Sequence, residues 1–481
     1  MSQGLRRAAL STGSAQYVIY ALSFVRLIVI SRILTSTEIG AFVLASSLVL
    51  LANVPRIFGT MDYIITRTEL TQGALRACFT VLMITGAVIG TLYLSGAPQI
   101  ARFYGDPVIT DLLRLMAISF LILPFGIIGQ AMLRRQMRFG ALALARVVGA
   151  IVETCVALGL ILYAGWGVMS MAWGFFAANI TVTGIVIALA PHQTLFKPGL
   201  SDLRDVAQFG ARASAADFLT HLGELGPPLL LGRGFDASSV GFFSRGQTLI
   251  NFFRQGVETA MAPVVQPWFA RHGRDAPELV AGGYARIMGL VSVVTWPFYA
   301  YVFVHAPTLI PLLLGAGWDA SIPVTRALAV AGLFSPYTRY ADSLLIGLGK
   351  VNTRLALVVA IQVIRFGLLG IGIVAGHGLI GFAWALTLGS VAAFALALWT
   401  LHRTIGLSTG RMLGGLQTPL LMMVAIIVVN SALVTWLGPD WTIVLLSAVV
   451  TAVVWVGLLA MMRHSLLDEI KSVIARRFQK G

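Results

Sequence analysis

Arg32-Ile33-Leu34-Thr35-Ser36-Thr37-Glu38-Ile39-Gly40-Ala41-Phe42 is a short charged turn between two apolar runs, 11–34 and 38–59. Each run has about 20 residues, the length at which a helix crosses the hydrocarbon core of a bilayer. The turn has a counterpart 201 residues further on, Arg233-Gly234-Phe235-Asp236-Ala237-Ser238-Ser239-Val240-Gly241-Phe242-Phe243. Arg32/Arg233, Ile39/Val240, Gly40/Gly241 and Phe42/Phe243 align. Each turn separates the first two apolar runs of a block of six. Six is even, so both blocks enter from the same side and the repeat is parallel about an axis along the membrane normal.

Working outward, fourteen spans are expected, at 11–34, 38–59, 77–96, 108–133, 142–164, 166–190, 206–231, 239–263, 287–304, 324–347, 355–375, 379–401, 418–437 and 441–462. The seventh, eighth and tenth carry charge. The fold class is thus an all-α polytopic membrane protein. It divides into six-helix lobes at 1–195 and 196–410, two additional helices at 411–462, and a basic tail at 463–481. Composition agrees. The 481 residues are 58% hydrophobic and 11% charged, with a mean hydropathy of +0.87, whereas a soluble domain is roughly a quarter charged. The net charge of +15 suggests nucleic acid at first sight, but no soluble face exists to carry it.

The basic residues also orient the chain. Of 34 lysines and arginines, only Arg102 and Arg233 fall in outer connections when the N-terminus is cytoplasmic. The inner connections and span edges hold most of the rest, which places both termini in the cytoplasm. Arg6 and Arg7 precede an apolar stretch that runs to Leu34, long enough to be an uncleaved first helix instead of a signal peptide. Cys78 and Cys155 lie in apolar runs and the seven histidines are scattered, so no disulfide framework, metal or cofactor is implied.

Ionisable residues within spans normally face a cavity or a partner. Here they are mostly arginine, which stays charged and offers phosphate oxygens a planar fork. Gln16, Tyr20, Ser23 and Arg26 share one stripe of the first span. Ser46, Asn53 and Arg56 share one on the second, and Gln247, Asn251, Arg254 and Glu258 one on the eighth, which Arg245 precedes. Amides and hydroxyls around arginine suit a hydrated sugar-phosphate path; the alternative is hydrogen bonding between helices of one bundle. Asp217, His221 and Glu224 form an acidic stripe on the seventh span, suited to ion coupling or to compensating Arg254 or Arg245. Arg146/Glu153 and Arg339/Asp342 read as structural ion pairs. Pro227-Pro228 removes two donors and should kink or break the seventh helix.

Three stretches resemble a known family: the basic start followed by Ser31–Phe42, Val240-Gly241-Phe242-Phe243-Ser244-Arg245 opening the eighth span, and Leu344-Leu345-Ile346-Gly347-Leu348-Gly349-Lys350 closing the tenth. The chain resembles the polysaccharide-type flippases of the multidrug/oligosaccharidyl-lipid/polysaccharide exporter superfamily. It departs from them at Leu229-Leu230-Leu231-Gly232-Arg233, where relatives usually carry an acidic residue. The resemblance implies a V-shaped pair of bundles around a cavity lined by the first, second, seventh and eighth spans. It implies an undecaprenyl-diphosphate-linked oligosaccharide as substrate, moved across the bacterial cytoplasmic (inner) membrane for exopolysaccharide, capsule or O-antigen synthesis. Arg26, Arg56, Arg254, Arg245, Asn251, Gln247 and Tyr20 are the expected substrate-binding residues. The expected partners are the lipid-linked glycan, the bilayer, and a polysaccharide polymerase and export machinery.

The alternatives are a lipid II flippase, a multidrug or cation antiporter, and a polymerase or ligase enzyme. Cationic drugs need an acidic cavity, and such enzymes need a sizeable outer loop with an acid/base pair. The excess of arginine within the spans argues against the first, no such loop is present for the second, and no GxxxxGK[ST] loop is present to hold ATP.

Overall fold

The computed structural model describes residues 3–57, 59–190, 197–275 and 277–462. The side chains of Arg56, Asp217 and Glu258, and the basic tail 463–481, lie outside the described ones. Every regular element among the described residues is a helix, as expected where a bilayer forces each backbone polar group to be satisfied within its own segment.

Two compact units result, Met1–Ser244 and Arg245–Gly481. The first contains α1 (Gln3–Ile33), α2 (Ser36–Ile57), the short α3 (Thr60–Thr66), α4 (Gln72–Tyr104), α5 (Val108–Arg135), α6 (Phe139–Tyr163), α7 (Met169–Leu189) and α8 (Leu203–Gly234). Here α1 packs on α6, α6 and α5 on α7, α4 on α5, and α2 and α4 on α8. Long α9 (Ala237–Asp275) begins in this unit and runs into the second. There follow α10 (Pro277–Leu314), α11 (Ser321–Gly347), α12 (Val351–Val374), α13 (Gly378–Ile405), the short α14 (Thr409–Gly414), α15 (Gln417–Leu437) and α16 (Trp441–Met461). In that unit α11 packs on α10 and α13, α12 on α13, and the last two helices on α10.

Among the described residues, eleven helices are long and apolar enough to span. They match the expected spans except 206–231, 239–263 and 324–347. Those three are helical, within α8, α9 and α11, and amply long at 32, 39 and 27 residues; charge within them keeps their hydropathy low. Pro227-Pro228 breaks nothing: α8 is continuous from Leu203 to Gly234. Packing on α2, where Gly232 sits against Leu44, holds the helix despite two missing donors.

The opening turn explains how α2 starts. The Thr35 amide donates to Glu38 Oε2 at 2.9 Å, and the Glu38 amide to Thr35 Oγ1 at 3.3 Å, a capping box. Its counterpart does the same work with other chemistry: Asp236 Oδ1 accepts from the Ser239 amide at 2.7 Å and from the Ser238 hydroxyl at 3.0 Å. Burial raises the Asp236 pKa, but hydrogen bonding from Ser239 and Ser238 prevails and holds it below the usual value. The two helix starts then touch reciprocally. A methyl group on Gly40 would overlap the Ala237 carbonyl, and one on Gly241 would overlap the Ser36 carbonyl. Positions 36 and 237, like 40 and 241, are matched by the 201-residue offset.

Candidate functional site

In the first unit, the polar stripe of α1 faces α6. Arg26 Nη1 lies 2.5 Å from Glu153 Oε1, with side chains 20% and 27% exposed. Glu153 was expected to pair with Arg146, seven residues away on the same helix; those two lie about 10 Å apart along the axis, whereas Arg26 reaches across directly. Tyr20 is half-buried, and its ring meets Tyr17 edge-on at 6.3 Å. Gln16 lines a cavity with Arg134 and Arg146. His221 and Glu224 stand on the exposed face of α8, opposite buried Gly223, Gly226 and Pro227.

At the α3 end of the same unit is a cluster that sequence reasoning did not single out. The Tyr63 hydroxyl donates to Asp205 Oδ2 at 2.7 Å, and Arg67 pairs with the same carboxylate. Burial, then the hydrogen bond and charge of Asp205, push the Tyr63 phenol up to about 12. The Arg67 guanidinium lies 4.9 Å from the Tyr63 ring centroid. Arg135 donates to the Ile64 and Thr68 carbonyls at 2.7 and 3.0 Å, which ties the end of α5 to this corner. Asp205 sits 138 residues from Arg67, so no local spacing announces the pair.

In the second unit the expected residues fall on α9. Arg254 Nε and Nη2 lie 3.4 and 3.3 Å from Asn251 Oδ1, so the amide orients the guanidinium. Arg254 borders a narrow recess with Thr295, Tyr299 and Tyr340. Gln247 is half-buried one turn before Asn251. Arg245 is buried at 7% exposure, its guanidinium 5.9 Å from the Trp318 ring centroid. Asp342 was expected to meet Arg339; instead it accepts from Arg354 Nε of α12 at 2.6 Å. Gln247, Asn251 and Arg254 offer hydrogen-bond donors and acceptors along one face of α9, ending in a cation, as a sugar phosphate requires, while Arg245 projects from the opposite side.

A further buried network joins α10 to the last two helices. His305 Nε2 lies 2.9 Å from Asn430 Oδ1, while Asn430 Nδ2 donates to the Ile426 carbonyl and to Thr451 Oγ1. With the amide donors so used, the oxygen accepts, and the proton of neutral His305 sits on Nε2. A lone histidine at the end of the ninth apolar run and a lone asparagine in the thirteenth were the available signals.

A family model described as polysaccharide biosynthesis protein matches residues 29–323. The teichuronic acid biosynthesis protein TuaB of Bacillus subtilis is 21% identical over 420 residues, covering 86% of each chain. The lipopolysaccharide biosynthesis protein WzxC of Escherichia coli is 22% identical over 351 residues, covering 70% of this chain and 69% of that protein. Among solved structures, the lipid II flippase MurJ in an inward closed conformation superposes with a TM-score of 0.77 at 12% identity. That match covers 95% of this chain and 99% of MurJ.

Proposed function

This chain belongs to the polysaccharide biosynthesis protein family, the polysaccharide transporter branch of the multidrug/oligosaccharidyl-lipid/polysaccharide exporter superfamily, and we propose that it flips an undecaprenyl-diphosphate-linked oligosaccharide across the bacterial cytoplasmic membrane. It does so by alternating access, with fourteen spans, two six-helix lobes in parallel repeat and both termini in the cytoplasm. The observation that carries the reading is the α9 face, where the Asn251 amide holds the Arg254 guanidinium and Gln247 continues the line one turn earlier; Arg245 enters from the other side of the same helix. Such a row binds a diphosphate through charge-assisted hydrogen bonds and sugar hydroxyls through amides. Arg26, Tyr20 and Arg56 serve the same substrate from α1 and α2. The acidic face of α8, with Asp217, His221 and Glu224, supplies the ion coupling, since no nucleotide site is encoded.

The test is a strain lacking the gene. The lipid-linked repeat unit accumulates on the inner leaflet and surface polysaccharide is lost. Wild type restores export and Arg254→Ala does not, at equal abundance in the membrane. Accumulation of lipid II in place of a surface-polysaccharide unit would assign the peptidoglycan precursor, and no accumulation at all would remove the flippase reading.

A further inference from the structure

A cavity of about 250 Å³ opens in the first unit between α1, the end of α5 and the first turns of α6. Its wall carries Arg134, Arg146 and the Gln16 amide, with apolar Ile19, Phe139 and Leu142 beside them. The two arginines are near enough for their like charges to act on one another. The helices that build the cavity hold only two acids, Asp111 and Glu153. Asp111 lies at the opposite end of α5, about 35 Å from Arg134 along the helix. Glu153 is two turns deeper on α6 and is taken by Arg26.

Two guanidiniums on one wall repel, and the repulsion is relieved when an anion sits between them. The volume falls below the roughly 300–1,000 Å³ of pockets for drug-sized molecules, too little for an oligosaccharide and enough for a phosphate. On the proposed topology, the end of α5 and the start of α6 lie at the head-group level of the inner leaflet, where lipid phosphates are abundant. The mixed wall, with two cations beside apolar side chains, matches a phosphate that continues into a hydrocarbon chain.

We propose that this cavity binds the phosphate of an anionic membrane lipid. Arg134 and Arg146 take its oxygens, Gln16 donates from the side, and Ile19, Phe139 and Leu142 lie along the start of the chain. The site is built from residues of the first unit alone and shares none with the α9 face. It rests on the topology of the proposed reading and not on the identity of the transported glycan, so binding is measured without transport.

Wild type and the double variant Arg134→Gln/Arg146→Gln, purified in uncharged detergent, are melted in the presence of short-chain phosphatidylglycerol, undecaprenyl phosphate or inorganic phosphate. One of the two lipids should stabilise wild type saturably, at about tenfold lower concentration than it stabilises the variant, and the lipid that acts at lower concentration names the source. The double lysine variant should fall between them, because a lysine keeps the charge but loses the fork. Without lipid, the glutamine variant should melt no lower than wild type, since only a repulsion is removed. Equal responses of wild type and variant overturn the proposal. So does stabilisation by inorganic phosphate at the same concentrations, or a lower melting point of the lipid-free variant, which would mean that the arginines hold a protein partner.

Discussion

Arg26 and Glu153 illustrate how a single contact decides what a charged residue in a span is for. Truncating either leaves the other half-buried without its partner, at a cost of about 1–3 kcal/mol. Arg26→Ala and Glu153→Ala should each lower the melting temperature in detergent, and the double variant should lose less than the two singles together. Strict additivity would mean that the pair does not exist. Arg254, oriented by a neutral amide of its own helix, should by contrast lose transport and keep stability. Tyr63 offers a test outside the spans. Its phenol is pushed up to about 12, above the value near 10 of an unfolded chain. A group whose pKa rises on folding lends its stability fully below the unfolded value, and that share drains away as pH climbs towards the folded one. Thermal stability should therefore fall between about pH 10 and 12. The fall should be shallower in Tyr63→Phe, and in Asp205→Asn the phenolate absorbance should appear at lower pH. Identical profiles for wild type and Tyr63→Phe would remove the Tyr63–Asp205 bond.

Helices were the most legible part of the molecule, because a run of about 20 apolar residues is a local property and a bilayer leaves it no other regular form. Their ends were less so. The third span read as 77–96 is α4, Gln72–Tyr104, and the ninth read as 287–304 lies within α10, Pro277–Leu314; helical hydrogen bonding continues past the apolar stretch. Least legible were partners chosen across the fold. Spacing along one helix favoured Arg146 for Glu153 and Arg339 for Asp342, and tertiary packing gave each a different arginine. The residues of the α9 stripe were visible in advance, since i, i+4 and i+7 lie on one helix face. The turn glycines were visible as a repeat, but not as a contact. There the prediction is plain: Gly40→Ala and Gly241→Ala each drive a methyl into a backbone carbonyl, which overpacks the junction by about 1–3 kcal/mol or more. Each should melt lower than wild type, with the double variant again less than additive. Wild-type melting of both singles would mean that the helix starts do not approach so closely.

For the molecule as a whole, the outstanding quantity is topology, since three of the expected spans carry charge that hides them from hydropathy. The asymmetry of basic residues predicts that a reporter fused at Gly410 reads cytoplasmic and one fused at Gly438 reads external. The same reading at both positions would undo the fourteen-span assignment and the leaflet in which the Arg134–Arg146 cavity is placed. The reciprocal glycine contact bears on substitution as well as on packing. The two helix starts are capped with different chemistry, Thr35 with Glu38 at one and Asp236 with Ser239 at the other, so a cap can be exchanged for another that supplies the same acceptor. Neither glycine has that freedom, because each faces a backbone carbonyl at the start of the other helix, and a carbonyl cannot be mutated out of the way.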